Sequence, residues 1–176
     1  MDTDEEESPM ETGTALDILK SALLLERRGK AFYTAAAEQA KSRPVRELFE
    51  RMAEEEERHI GVLSEQFASY RSRGVFSAPS ADRDPSGDVA SAVLTPRLTE
   101  SISVASFEAA AVSAAMALER NAIRLYADRA QSAQDPEEKA LYRWLADWEA
   151  GHLELLSKVD REVTEAAWND NAFWPY

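Results

Sequence analysis

Two stretches of this chain, EEEERH at 54–59 and WEAGH at 148–152, each place a glutamate three residues ahead of a histidine. Glu56 and His59 form one pair, Glu149 and His152 the other, and these are the only two histidines present. Glu26 and Glu119 each precede a paired glutamate by 30 residues. On a helix, residues three apart share a face, so each pair converges on a common point. Carboxylate oxygen and imidazole nitrogen together suit iron or manganese, and with no cysteine in the chain a soft, thiolate-ligated metal has no ligand. A lone Glu-x-x-His on an acidic helix is ordinarily a solvated pair. Here it occurs twice, in register with a larger repeat.

The pairs sit where apolar residues belong. Val45, Phe49, Met52, Glu56, His59 and Leu63 follow one another in alternating steps of four and three, as do Leu141, Leu145, Glu149, His152, Leu156 and Val159. That spacing traces the buried stripe of an amphipathic helix. Buried ionised carboxylates cost several kcal/mol each without partners, and four of them rival a domain's whole stability of about 5–15 kcal/mol. No Lys or Arg occupies an equivalent inward position. Two divalent cations neutralise four carboxylates and use both imidazoles as neutral donors.

The elements that must position these residues are helices. Low Gly and Pro content with abundant Ala, Glu, Leu and Arg favours an all-α fold. Residues 1–13 read as an acidic, disordered lead-in, and Thr14-x-x-Asp17 as a helix start. A break at KSRP puts Pro44 in the first turn of a second helix, which fades near Ser72. Residues 73–105, rich in Ser, Pro, Asp and Gly, read as a long crossover. Two further helices are expected at about 107–133 and 136–166, with Asp135 as N-cap and Pro136 at the first helical position. A short aromatic tail, 167–176, carries Phe173, Trp174 and Tyr176; it reads as docking on its own bundle or on a neighbour.

The second half repeats the first at a constant offset of 93, which pairs Glu26 with Glu119, Tyr33 with Tyr126, Glu56 with Glu149 and His59 with His152. Each helical break lies midway between its two glutamates, so an antiparallel hairpin sets both at one height, about 22 Å from the turn. All four carboxylates then meet at one level of a four-helix bundle built from two hairpins. The offset aligns Glu54, Glu55 and Glu57 with Asp147, Trp148 and Ala150, so these three glutamates are expected to face solvent.

A net charge of −13 argues against nucleic acid and anionic membranes as partners. No run of about 18 apolar residues occurs, and the N-terminus lacks the apolar core of a signal peptide, so a cytoplasmic protein is expected.

With a Glu on each of two helices, a Glu-x-x-His on each of the others and one long crossover, residues 14–160 resemble the ferritin-like superfamily, and within it the rubrerythrin-type di-iron domain. The resemblance implies two iron ions, manganese being the alternative. Glu26 and His59 would be terminal ligands of one ion, Glu119 and His152 of the other, with Glu56 and Glu149 bridging. Tyr33 and Tyr126 would hydrogen-bond the carboxylates; the alternative is two core aromatics. It also implies an oxidoreductase that meets peroxide or dioxygen. Two departures stand out. Rubrerythrins add a carboxylate three residues after the third-helix Glu, where this chain has Ala122, with Gly29 as its repeat mate. They also carry a cysteine-ligated rubredoxin iron, so here electrons are expected from a separate donor protein.

Rival readings use the same residues: a manganese catalase, a ferroxidase of an iron-storage shell, a substrate hydroxylase, or a non-enzymatic helical interaction module. Trp144 and Trp148 lie beside the ligand stripe, where the first half has Arg51 and Glu55. Two roles are open for them, a contact in the expected homo-oligomer (dimer or larger) or packing against the crossover.

Overall fold

The computed structural model describes residues 14–77 and 96–169. The acidic lead-in, the middle of the crossover and Phe173, Trp174 and Tyr176 lie outside the described residues. Five helices follow one another: α1 (Ala15–Gln39), α2 (Arg43–Arg73), α3 (Pro96–Glu100), α4 (Phe107–Ser132) and α5 (Pro136–Asn169). There is no strand among the described residues, and no helix long and apolar enough to cross a membrane. The fold is all-α, a bundle of four long helices.

Each long helix begins where a side chain satisfies its free N–H groups. Thr14 accepts from the Asp17 N–H at 3.3 Å while its hydroxyl donates to the Asp17 carboxylate at 2.6 Å. Ser42 and Ser106 do the same for α2 and α4, accepting from Val45 and Ala109. Asp135 accepts from the N–H groups of Glu137 and Glu138 at 2.8 and 3.2 Å, ahead of Pro136 at the start of α5. α2 stops at Gly74, whose φ of 70° is left-handed and whose N–H returns to the Tyr70 carbonyl.

Two boundaries differ from the sequence reading. α5 runs to Asn169 rather than 166, because Ala166, Ala167 and Trp168 contain no helix breaker. The crossover ends in α3, a single turn that the Ser- and Pro-rich composition concealed. Its Leu98 and the following Ile102 are buried in the core beneath the first hairpin's turn, and Ser101 hydrogen-bonds Ser42.

α1 packs against α2 and α4 against α5, and the hairpins meet along α1 and α4. The core divides into two apolar layers. One gathers Tyr33, Phe49, Met52, Val112 and Leu156 near the first hairpin's turn; the other gathers Leu19, Leu63, Tyr126, Leu141 and Leu145 near the second's. The start of α4 lies at the first hairpin's turn, where the Glu108 carboxylate accepts the Lys41 backbone N–H at 3.0 Å. α2 leaves that turn and α4 sets out from beside it, so the crossover must travel the bundle's length.

The Lys41 N–H holds the Glu108 carboxyl below its ordinary range. Glu108→Ala removes this tie between the hairpins and is expected to cost about 1–2 kcal/mol in a denaturant melt at pH 7. A depressed carboxyl stabilises the fold above its unfolded pKa and loses that contribution on acidification. The gap between wild type and variant should therefore close as pH falls through the carboxylate range.

Candidate metal centre

Between the two apolar layers lies a polar one. Glu26 comes from α1, Glu56 and His59 from α2, Glu119 from α4, and Glu149 and His152 from α5; none of the six is more than 4% exposed. The helical steps that place Met52 and Leu63 in the core leave Glu56 and His59 no direction but inward.

Both imidazoles turn Nδ1 toward the acids. His59 Nδ1 lies 3.1 Å from Glu26 Oε2 and 3.1 Å from Glu149 Oε1, with Glu56 Oε2 at 3.8 Å. His152 Nδ1 lies 3.0 Å from Glu149 Oε2 and 3.6 Å from Glu119 Oε1. Glu149 thus spans the two histidines, one oxygen to each. Tyr33 on α1 donates to Glu119 on α4, and Tyr126 on α4 donates to Glu26 on α1. Each tyrosine therefore grips the other hairpin's carboxylate.

Potential ligand atoms fall into two groups: Glu26, Glu56, His59 and Glu149, and Glu56, Glu119, Glu149 and His152, each within a span of 4.8 Å. Atoms around one ion with bonds of 2.0–2.2 Å lie up to roughly 4.4 Å apart, so small side-chain movements bring either set onto a cation. Glu56 and Glu149 belong to both groups, as bridges between two ions must.

Without a cation, protons serve as the counter-charge. Burial, with Glu149 close by, pushes Glu119 up to about 8. Burial and the neighbouring Glu26 and Glu149 carboxylates also push Glu56 well above its ordinary value. Burial opposes a charged His152, yet Glu119 and Glu149 raise it to about 9; the carboxylates of Glu149, Glu26 and Glu56 likewise hold His59 well above its ordinary value. Burial alone would raise Glu149, but His59 and His152 hold it well below the usual range. Burial and the same acids push both tyrosine hydroxyls up, so they stay protonated donors.

The Rubrerythrin family model matches residues 17–159. This chain belongs to the rubrerythrin family. That places it in the ferritin-like superfamily, among di-iron oxidoreductases as a type. No curated protein and no solved structure matches it.

Some features of this rubrerythrin-family site escaped the sequence reading. Glu54 and Glu57 are exposed as expected, but Glu55 is buried: its Oε1 accepts from Arg58 at 2.8 Å and its Oε2 has no hydrogen-bond partner. The signal was present, since its repeat mate Trp148 is large, apolar and also buried. Trp144 and Trp148 turn toward His59. Gly29 has a packing reason: a Cβ there would meet Glu56 Cδ at 3.1 Å. Its mate Ala122 carries that methyl and is buried.

Raised groups set the pH response of the metal-free protein. Between 4.5 and about 8 the folded chain keeps the Glu119 proton that the unfolded chain has released. Between 6.5 and about 9 it does the same at His152. The folded state binds more protons, so stability falls as pH rises through this range. Glu149, depressed, is ionised in both states there and adds nothing. In chelator, the melting temperature should drop from pH 6.5 to 9, whereas the increment from added ferrous iron should grow, since metal displaces those protons. A flat metal-free profile would contradict this electrostatic account.

Proposed function

We propose that this rubrerythrin-family protein is a di-iron oxidoreductase that reduces peroxide or dioxygen with electrons from a separate donor protein. The observation that carries it is the sharing of Glu56 and Glu149 by two four-residue groups, each with its own terminal glutamate and histidine. Donor chemistry fits: four carboxylates match the charge of two divalent ions, and the imidazoles already face them through Nδ1. When bound, a pair of ferrous ions would supply one electron each to a small oxidant.

The chain's own residues do the rest. Glu26 and His59 would hold one ion and Glu119 and His152 the other, with Glu56 and Glu149 shared by both. Tyr33 and Tyr126 keep Glu119 and Glu26 oriented and hold a proton at each Oη, next to the carboxylate oxygens where charge changes. The apolar layers above and below exclude bulk water.

A cavity of about 20 Å³ touches Glu26, Glu56, Glu119 and Glu149, and is lined besides by Leu25, Leu118, Gly29 and Ala122. That is room for roughly one water-sized molecule, which favours peroxide or dioxygen over an organic substrate and disfavours the hydroxylase reading. Leu25 and Leu118 are repeat mates, each one residue before its glutamate.

Elemental analysis of protein purified anaerobically with ample iron tests the proposal. About two irons per chain are expected, as in other carboxylate-bridged bundles. Glu56→Ala should lose nearly all of it and His152→Ala at least half. A single zinc, or no metal, would falsify the assignment; two manganese ions would favour the catalase. Peroxide turnover against ferrous-oxidation stoichiometry then separates a peroxidase from a ferroxidase.

Gly29→Ala probes the open face. The added methyl presses on the Glu56 carboxylate and fills the cavity, so iron affinity should fall on the order of tenfold or more, comparable to losing a supporting contact. Oxidation of the remaining bound iron should also slow. Unaltered iron binding and oxidation would mean that the small oxidant does not approach from this side.

A further inference from the structure

The six proposed ligands obey the repeat; their surroundings do not. Where the first half has Arg51 and Glu55, the second has Trp144 and Trp148. The His59 ring lies 5.4 Å from Trp148 and 5.8 Å from Trp144, nearly perpendicular to both at 88° and 79°. The two indoles are themselves 5.1 Å apart. Trp148 is buried, while Trp144 is partly exposed. Three rings in contact therefore lead from the centre toward the surface. The other redox-active pair near the site, Tyr126 stacked on Tyr142, ends at a fully buried ring.

We propose that Trp148 and Trp144 form a one-electron outlet for oxidising equivalents. The proposal rests on the di-iron reading. It applies when peroxide reaches a centre that no donor has reduced. An indole is among the side chains most easily oxidised by one electron, and a phenyl ring is not. Trp148 gives one electron to the oxidised centre, which is reduced by one. Trp144 then refills Trp148, and the electron vacancy moves outward, with the indole N–H proton passing to water. At Trp144 an outside one-electron reductant of the thiol or ascorbate class returns the electron, water returns the proton to the indole nitrogen, and the cycle closes. Without a reductant, the indole loses a second electron and takes up water, giving hydroxytryptophan and a second proton; the two electrons and two protons lost match those that turn one hydrogen peroxide into two waters. The outlet spares the carboxylates and imidazoles from that oxidation.

The test uses the full chain loaded with ferrous iron, oxidised with one equivalent of hydrogen peroxide, and then treated with further hydrogen peroxide in the absence of reductant. Peptide mass spectrometry locates the oxidised residues, and freeze-quench electron paramagnetic resonance looks for an indole radical. Trp168, 67% exposed, is the internal control for oxidation from solution. Trp144 and Trp148 should be oxidised several-fold more than Trp168, and only with iron: zinc-loaded and metal-free protein should lose the preference. Trp148→Phe keeps an aromatic ring beside His59 and should lower oxidation at Trp144 toward, though not to, the level of Trp168, since Trp144 keeps its own contact with His59. Trp144→Phe should strand the vacancy and raise oxidation at Trp148, which a purely structural role would not do. Iron content is measured on every sample. Failure to bind iron overturns the di-iron reading and this inference together. Bound iron with Trp168 oxidised as much as Trp144, or with a pattern unchanged in both variants, overturns the outlet alone.

Discussion

Four carboxylates buried in one layer of a helical bundle impose a demand for positive charge. Nothing else in the structure constrains it so tightly. Among the described residues no Lys or Arg side chain is paired with any of the four, and the two imidazoles between them are too few. In the chain alone the demand is met by protons, which is why Glu56, Glu119, His59 and His152 all hold theirs beyond their ordinary range. Protons and divalent cations thus compete for the same oxygens and nitrogens. A layer that must bind one or the other is a poor stabiliser and a good receptor.

The same layer joins the hairpins. Within each, long apolar seams hold the helices together; between them the contact runs chiefly along α1 and α4. There the crossing bonds from Tyr33 to Glu119 and from Tyr126 to Glu26 tie each half to the other's acid. Two cations held through Glu56 and Glu149 would fasten the halves again at that height. Metal binding and docking of the hairpins should then be one event, with much of the binding energy appearing as folding energy.

Much of this was legible in the sequence because two independent regularities agree there. The three-and-four spacing fixed which face of α2 and α5 turns inward, and the offset of 93 fixed which glutamates share a height. Together they pick Glu56 from a run of four glutamates. What escaped detection depends on the angle at which helices meet. Periodicity says that position 55 flanks the ligand stripe, but only the packing of α2 against its neighbours shows that the flank is covered. Composition likewise hid α3, since a single turn held by Leu98 leaves too short a pattern to read. The partner chosen by each tyrosine was equally out of reach: a seven-residue interval places Tyr33 on the face of Glu26, yet its hydroxyl crosses to Glu119.

The departures from the repeat carry information that the repeat itself cannot. An exactly duplicated hairpin would give two metal positions with identical surroundings, and a two-electron oxidant would meet them alike. Here Gly29 and Ala122 make the cavity's two walls unequal, and the matched positions 55 and 148 differ, one a carboxylate held by Arg58, the other an indole against His59. The Glu55 carboxylate is already paired with Arg58, whereas the indole pair faces His59 and can surrender an electron. A centre whose halves differ in this way need not treat two bound ions alike, even where the same kinds of residue would hold both. On this argument the duplicated residues account for capacity to bind, and the unmatched ones are where the particular reaction of this chain has been written.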